Sequence, residues 1–493
     1  MLFNSITFII FLPIVFVLYW FVIHKRLDRQ NLLILVASYV FYGWWDWRFL
    51  GLIFISSLAD FIIGQKIDNA TNLKKRKNYL ISSIILNLGL LGFFKYYNFF
   101  VGSFIELFNV FGITLQKGTL EILLPVGISF YTFQTLSYSI DIYKGNLKAT
   151  KNPIAFFAFV SFFPQLVAGP IERAKDLLPQ FLTKRQFSYD FAISGLRLIL
   201  WGLFKKVVIA DNLAKYVDIV FSSPEDYYGI SVIIATVCFT FQIYCDFSGY
   251  SDIAIGVSKL FGFKLMTNFR TPLFSSSIKE LWGRWHISLS SWFRDYLYIP
   301  LGGNKVGKWR WSFNIFLTFL ISGLWHGANW TFVIWGSLNG IYLIVESFTQ
   351  KQRNQLYQFI KLTHFPSLLK VIQIVITFCL FAFSFMIFRA ETTKDAFLLI
   401  NHLPQKLFTQ LSSLEGFLVP FQSIFSSTKE FSYLFSSFVL FFVIDIFIRK
   451  NGIDYTLKNI SPFFRLLIYY FIIGWLLFFG AFGEPQEFIY FQF

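Results

Sequence analysis

The chain has 493 residues, of which 56% are hydrophobic and only 14% are charged, and its net charge is +16. A soluble domain carries about 25% charged residues, so this composition excludes a soluble globular protein and predicts an integral membrane protein. Lys and Arg lie between apolar runs, where the positive-inside rule expects them. We therefore predict membrane lipid, and no nucleic acid, as the surroundings of this basic protein.

Apolar runs long enough to cross a bilayer recur along the whole sequence. The first, Ile6–Ile23, is followed by charged residues and not by a small-residue cleavage site, so it is predicted to be a retained span. The later runs predict an all-α polytopic protein with roughly 10–12 crossings, the shorter runs being re-entrant or interfacial helices. Without a soluble segment or an internal repeat, residues 1–493 are predicted to form a single membrane domain.

The Lys and Arg residues predict the orientation. Basic clusters at 25–29 and 66–77 are separated by two crossings, which places both in the cytoplasm and the N-terminus outside. The basic pair 449–450 precedes the last apolar run and is likewise predicted to be cytoplasmic, so the last run crosses the membrane outward. Residues 484–493 are therefore predicted to be an extracytoplasmic C-terminal tail.

Residues 241–330 combine ionisable residues, Trp and Gly in an otherwise apolar sequence, and we predict that they form the catalytic region. The run CDFSGYSD supplies Asp246, Ser248 and Asp252 around Gly249, where a helix interruption is expected. Its carboxylates either are satisfied internally or contact substrate. The run TNFRTP adds Asn268 and Arg270 as further candidates for the lining of a tunnel or substrate site.

The run Lys279–Tyr296 has the periodicity of an amphipathic helix, with Trp285 on its apolar stripe and His286 at the edge of that stripe. Its charged residues make a complete crossing implausible. The segment is predicted to lie at the membrane interface or to line a cavity. His286 is either incidental to an interfacial helix or part of the site.

The run SGLWHGANW, Ser322–Trp330, gives the sharpest candidate. An ionisable residue in an apolar helix marks a functional site by default, and a neutral imidazole can act as a general base. His326 is therefore the predicted catalytic base, and a structural His within the bundle is the alternative. A continuous helix would place four side chains on one face, with Gly323 and Gly327 permitting close helix packing and Trp325 alongside: Ser322, His326, Asn329 and Trp330.

No metal site is predicted, because none of the five His residues has close metal-ligand spacing to another. Cys238 and Cys245 share a helical face but have no nearby His. They are more consistent with packing residues than with ligands.

The final residues, EFIYFQF, follow the last apolar run and contain one hydroxyl, that of Tyr490. Aromatic residues are common anchors at the ends of membrane spans. Tyr490 is either such an anchor or a covalent acyl relay.

Long motifs in one order make the sequence resemble the membrane-bound O-acyltransferase superfamily, and within it the bacterial alginate O-acetylation branch. The similarity extends from the N-terminal MLFNSITFIIFLPIVFVLYW to the WHGANW block. Between these lie FVSFFPQLVAGPIERA (Phe159–Ala174), FQIYCDFSGYSDIAIG (Phe241–Gly256) and WHISLSSWFRDYLYIPLGG.

The resemblance implies tilted helices around a central tunnel, with His326 as the catalytic histidine and His286 as the second signature histidine. It further implies acetyl-CoA as the donor, entering from the cytoplasm of a bacterial cell with this protein in its inner membrane. An envelope glycan would be the acceptor, reached through an extracytoplasmic partner that resembles SGNH hydrolases. The tail also resembles the aromatic end of a short peptide whose tyrosine can act as an acyl relay in a related class.

Three alternatives remain open at this point. The related class transfers D-alanine to teichoic acid from a carrier protein and shares the DFSGYSD-like and WHG-like blocks. A transporter could also use intramembrane charges and broken helices around a polar tunnel. A noncatalytic scaffold for an envelope-glycan enzyme would tolerate any change at His326 and His286.

Overall fold

The computed structural model describes residues 1–115, 120, 122–167, 169–425, 427–483 and 486–491. These residues form α-helices and short π and 3-10 segments, with no strand among them. The all-α prediction is therefore confirmed. The protein divides into two compact units, residues 1–199 with 251–266 and residues 200–250 with 267–493.

The helices up to the first unit boundary are α1 (Ile6–Val17), α2 (Leu27–Gly43), α3 (Phe49–Asn69), α4 (Leu73–Leu91), α5 (Tyr97–Val110), α6 (Ile128–Tyr143), α7 (Pro153–Val160), α8 (Phe163–Leu166), α9 (Ala174–Leu182) and α10 (Tyr189–Leu203).

The remaining helices are α11 (Asp211–Phe221), α12 (Ile230–Leu260), α13 (Ile278–Trp282), α14 (Ile287–Phe293), α15 (Lys308–His326), α16 (Trp330–Phe348), α17 (Gln350–Phe359), α18 (Pro366–Arg389), α19 (Thr393–His402), α20 (Leu407–Leu411), α21 (Leu414–Ile424), α22 (Thr428–Ile448), α23 (Gly452–Lys458) and α24 (Pro462–Phe479). Segments of π-helix cover Leu18–Val22, Gly92–Tyr96, Phe204–Ala210 and Arg294–Tyr298, and 3-10 turns cover Pro272–Phe274, Leu362–His364 and Ile489–Phe491.

Seven helical stretches of the described residues have the length and apolar composition to cross a bilayer. They are Phe49–Asn69, Leu73–Val110, Ile230–Leu260, Trp330–Phe348, Pro366–Arg389, Thr428–Ile448 and Pro462–Phe479, with the shorter apolar helices Ile6–Val22 and Pro153–Leu166 beside them. A multi-pass membrane protein follows from these stretches. The higher number of crossings stays a prediction, because helices such as α2, with 17 residues, and α15, with 19 residues, can also reach into the hydrocarbon region.

The first unit is built around helices α3, α4 and α6. A side chain at Gly64 of α3 would meet the ring of Tyr138 of α6 at 2.5 Å, so glycine lets these two helices approach closely. Asp60 is buried between them and accepts hydrogen bonds from Ser83 at 2.6 Å and Asn87 at 2.7 Å. A buried carboxylate needs such donors in place of water.

The second unit contains the hairpin of α15 and α16. A Cβ atom at Gly323 would overlap the carbonyl oxygen of Phe332, and one at Gly336 would lie 2.9 Å from the Cα of Gly323. Backbone atoms cannot move aside as side chains do, so only glycine permits this contact. The hairpin therefore holds its connecting turn, with His326 at its start, in one position.

Candidate active site

His326 is the last residue of α15 and is 3% exposed. Its ring lies 5.2 Å from the ring of Trp325 and 5.0 Å from that of Trp335, measured between centroids, and both rings are edge-on to it. The ring of Phe388 of α18 lies on a third side of the imidazole, with 5.7 Å between the ring centroids. The imidazole is thus enclosed by aromatic side chains that exclude water and fix its orientation.

The predicted continuous helix through SGLWHGANW is wrong. Helix α15 ends at His326, Gly327 is extended, and α16 begins at Trp330. Asn329 caps the second helix by accepting a hydrogen bond from the backbone N–H of Thr331, and Trp330 is 48% exposed. Asn329 and Trp330 therefore do not share a helical face with His326.

The predicted helix through Lys279–Tyr296 is also wrong. It is divided into α13 and α14, and between them His286 adopts a left-handed conformation with φ of 41°. Such a φ is unusual for a residue with a Cβ atom and is typical of functional sites. The turn directs the backbone so that His286 is fully buried instead of lying at the edge of an apolar stripe.

Asn268 orients the ring of His286. The Asn268 Oδ1 atom lies 3.1 Å from His286 Nδ1 and also accepts the hydroxyl hydrogen of Ser288 at 2.9 Å. Because an amide oxygen only accepts, Nδ1 carries the proton and Nε2 is the basic nitrogen. Nε2 makes no hydrogen bond to any other described residue. Burial, and secondarily the charge of His326, holds the pKa of His286 well below its ordinary range, so the ring is neutral.

The two histidines and Tyr490 come together in the second unit. The ring centroids of His286 and His326 are 6.2 Å apart, and the ring of Tyr490 lies 5.5 Å from that of His326 and 6.3 Å from that of His286. The ring centroid of Phe247 of α12 lies 4.6 Å from that of His286 and 4.6 Å from that of Tyr490. Residues that are 40 and 164 positions distant from His326 in the sequence thus meet around it.

Tyr490 reaches the cluster because the segment 486–491 turns inward. Phe488 and Ile489 are buried, and the backbone N–H of Ile489 donates to Asp246 Oδ2 at 2.8 Å. The ring of Phe488 stacks on that of Tyr490 at 5.4 Å. Of the predicted tail, Glu484, Pro485, Gln492 and Phe493 lie outside the described residues.

The helix interruption expected at Gly249 is absent from the structure, because α12 continues from Ile230 to Leu260. Gly249 instead permits close packing, since a Cβ atom there would lie 2.7 Å from the carbonyl oxygen of Gly202. Asp246 contacts the tail as described, and Ser248 accepts a hydrogen bond from Lys205 Nζ at 2.9 Å.

The remaining candidates divide into two groups. Trp285 is buried against Phe269, Phe381 and Phe385 and supports the turn that carries His286. Arg270 is exposed and its backbone N–H pairs with the Arg284 carbonyl, while Asp252 belongs to the first compact unit.

A cavity of about 690 Å³ lies in the second unit and reaches Ser322, one helical turn before His326. Its volume is that of a small-molecule site. Its walls combine Trp282 and Phe319 with the cationic side chains of Lys279, Arg294 and Arg353. Arg353 was not a candidate from the sequence, because nothing in its local sequence distinguishes it from the other basic residues beside a span.

The lining of the cavity carries three cationic side chains and one carboxylate, and two of the cations have acidic partners, since Arg294 pairs with Asp295 at 2.7 Å and Arg353 lies 3.8 Å from Glu346. Glu346 also lines the cavity, but its carboxylate accepts the backbone N–H groups of Ile278 and Lys279, each at 2.9 Å. Its negative charge therefore stabilises the start of α13. Among the described residues, no group of three or more His, Cys, Asp or Glu side chains could hold a metal ion.

Comparison with known proteins identifies the family. The sequence model of MBOAT, the membrane-bound O-acyltransferase family, matches residues 149–388. The protein is 43% identical to the probable alginate O-acetylase AlgI of Pseudomonas aeruginosa over 80% of this sequence and 73% of that protein. It is 34% identical to the peptidoglycan O-acetyltransferase of Helicobacter pylori over 97% of this sequence and 89% of that protein.

A more distant similarity links the protein to the teichoic acid D-alanyltransferase of Bacillus subtilis, at 29% identity over 54% of this sequence and 69% of that protein. The identities to the two O-acetyltransferases are higher and their coverage is greater. The predicted resemblance is confirmed: the protein belongs to the membrane-bound O-acyltransferase family and is an O-acetyltransferase.

Proposed function

We propose that the protein transfers acetyl groups from cytoplasmic acetyl-CoA across the bacterial inner membrane for the O-acetylation of an envelope glycan. The observation that carries this proposal is the meeting of His326, His286 and Tyr490 in the second unit, together with the cavity that reaches Ser322. The relatives named for O-acetylation of alginate and of peptidoglycan support this acceptor class. The catalytic region of residues 241–330 is part of the same proposal.

The donor would occupy the cavity of about 690 Å³. CoA is a phosphate-bearing anion, and Lys279, Arg294 and Arg353 line this cavity. Four neighbouring basic residues do not line the cavity: Arg284, Lys305, Lys308 and Arg310. The thioester would extend toward Ser322 and the histidines.

The reaction would proceed in two acyl transfers. His326 accepts the hydroxyl proton of Tyr490 while the phenolic oxygen attacks the thioester carbonyl. The C–S bond breaks, CoA leaves as the thiolate and takes the proton from His326, and acetyl remains as a tyrosyl ester. An acceptor hydroxyl then attacks this ester, the acetyl group moves to the acceptor, and the phenol regains a proton.

The tyrosyl ester would lie on a segment that the charge asymmetry of the sequence predicts to be extracytoplasmic. A partner that resembles SGNH hydrolases would collect the acetyl group there and pass it to the glycan. Both termini are placed outside in this proposal. Family membership favours this enzyme over the transporter and the scaffold.

We expect His326→Ala to reduce glycan acetylation in cells at least about 10²-fold, because a positioned general base contributes about that factor or more. His286→Ala is expected to cause a smaller loss. The measurement is the acetyl content of isolated glycan at matched protein levels in the membrane.

His364→Ala is the matched control, since His364 is exposed and belongs to a 3-10 turn away from the cluster. Near-normal acetylation by His326→Ala would contradict base catalysis by this residue.

A further inference from the structure

A buried group of three charged residues lies against segment 486–491. Lys206 Nζ is 2.8 Å from Asp211 Oδ1 and 2.7 Å from Asp246 Oδ1, and the three side chains are between 1% and 4% exposed. Lys206, Asp211 and Asp246 are called the buried triad below. None of the catalytic steps proposed above uses these charges.

The local backbone brings the triad together. Lys206 lies in the π-helical segment Phe204–Ala210, and Asp211 follows that segment five residues after Lys206. The i-to-i+5 geometry of a π-helix brings such residues to one side, and π segments are frequent at functional sites. Gly249 allows α12 to approach Gly202 and Lys206 closely enough for Asp246 to complete the group.

The triad binds the backbone of the tail at two points. Lys206 Nζ donates to the carbonyl oxygen of Gln486 at 3.1 Å, and Asp246 Oδ2 accepts the N–H of Ile489 at 2.8 Å. An ammonium group has three donors, and those of Lys206 are matched by Asp211, Asp246 and Gln486. The hydrogen bonding of Lys206 is therefore completed by the tail.

The charged groups of the triad also favour binding of the tail backbone. One ammonium lies between two buried carboxyl groups, and a buried carboxylate is costly unless donors satisfy it. The N–H of Ile489 is one such donor. Buried ion pairs add little to stability compared with apolar packing, and their best-attested use is to specify one arrangement.

We infer that the buried triad is a docking site for the peptide backbone of the tail and holds residues 486–489 so that Tyr490 lies beside His326. Lys206 and Asp246 are thus positioning residues, since they act on the reaction through the tail. The site recognises the carbonyl and N–H groups of a peptide backbone. The inference about Tyr490 chemistry rests on the function proposed above, whereas the docking itself does not.

The amide hydrogen of Ile489 reports directly on the docking. In the full-length protein in detergent or nanodiscs, hydrogen–deuterium exchange of peptides covering 486–491 is measured for wild type, Asp246→Leu, Asp246→Asn and Lys206→Met. A hydrogen bond to a charged group corresponds to roughly a ten- to hundredfold change in equilibrium. Asp246→Leu and Lys206→Met are expected to accelerate exchange at Ile489 at least about tenfold.

Asp246→Asn tests whether the negative charge contributes to docking, because it keeps an oxygen acceptor for the Ile489 N–H and removes the charge. It is expected to retain more protection than Asp246→Leu. Lys205→Met is the matched control, since Lys205 is also a buried lysine but bonds to Ser248. Exchange in helix α22 verifies in each variant that the fold is intact.

Acetyl transfer by the same variants separates the two proposals. Slow exchange at Ile489 in both Asp246→Leu and Lys206→Met, equal to wild type, would overturn the docking site whatever the activity. Fast exchange with undiminished acetyl transfer would leave the docking site standing and overturn the role proposed for Tyr490. Fast exchange with a transfer rate that falls about tenfold or more supports both.

Discussion

The proposed chemistry depends on a single atom, the phenolic oxygen of Tyr490. The ring centroid of Tyr490 lies 4.6 Å from that of Phe247 and 5.4 Å from that of Phe488, and these ring contacts do not involve the hydroxyl. Burial raises the pKa of Tyr490 well above its ordinary value, and Asp246 adds to this shift. The hydroxyl is therefore protonated at neutral pH and needs a base to attack a thioester.

We expect Tyr490→Phe to lower acetyl transfer at least about 10²-fold, because it keeps the ring contacts and removes the nucleophile. Transfer is measured as glycan acetyl content, and an acetyl adduct on the tail peptide is sought by mass spectrometry after brief incubation with acetyl-CoA. Phe491→Leu is the control, since Phe491 offers no hydroxyl. Wild-type transfer by Tyr490→Phe would identify the tail as an anchor only.

His286 shows why a residue type alone does not define a role. Its left-handed backbone and its bond to Asn268 leave Nε2 as the basic nitrogen. A plain interfacial helix would have placed the same imidazole at a lipid or water boundary. The difference comes from the turn between α13 and α14.

At the scale of elements, the hairpin of α15 and α16 determines where His326 lies. Gly323 faces the carbonyl oxygen of Phe332 and the backbone of Gly336. The small residues predicted to permit close approach do so at Gly323. A Cβ atom at Gly327 would overlap the ring of Phe332, so this position too accepts no larger residue without movement of that ring.

We expect Gly323→Ala to destabilise the protein by about 1–3 kcal/mol, since the added methyl group meets backbone atoms that cannot be displaced cheaply. Thermal unfolding in detergent measures the loss, and acetyl transfer is expected to fall with the displacement of His326. Gly474→Ala in α24 is the matched control, because a Cβ atom there meets no atom within 4 Å. Equal unfolding temperatures for the two variants would contradict the role given to the hairpin.

At the scale of the whole molecule, the proposed reaction requires a donor on one side of the membrane and an acceptor on the other. The cavity that would hold the donor has its cations on α13, on the segment after α14 and on α17. A cluster of cations attracts a phosphate-bearing donor and raises its local concentration. A carrier-protein donor, as the D-alanyl alternative requires, would instead need a protein-docking surface.

We expect Lys279→Gln combined with Arg294→Gln to raise the KM for acetyl-CoA about tenfold, with a smaller change in kcat. Purified protein in liposomes is supplied with labelled acetyl-CoA, and transfer is followed over a range of salt concentrations. Lys308→Gln is the matched control, because Lys308 is exposed and does not line the cavity. Transfer only from a carrier-protein thioester would favour the D-alanyl alternative.

Composition by itself determined the class of this protein, because a sequence with so few charges cannot cover a globule with polar surface. The local pattern of apolar residues predicted membrane-spanning helices, and seven helical stretches of the described residues have that length and composition. The same local pattern failed at Lys279–Tyr296 and Ser322–Trp330, where the backbone turns. Periodicity records which faces are apolar, and it contains no term for the contacts that make a turn at His286 or Gly327 favourable.

The tertiary structure alone decided how distant residues meet. Asp246 and Ile489 are 243 positions apart, and their hydrogen bond exists because Gly249, the π segment at Lys206 and the inward turn of the tail combine. His326 and Tyr490 were each candidates from their own motifs, but their proximity has no local sequence signal. Local sequence sets helix propensity and apolar faces, whereas a site of this kind depends on long-range packing that only the folded protein provides.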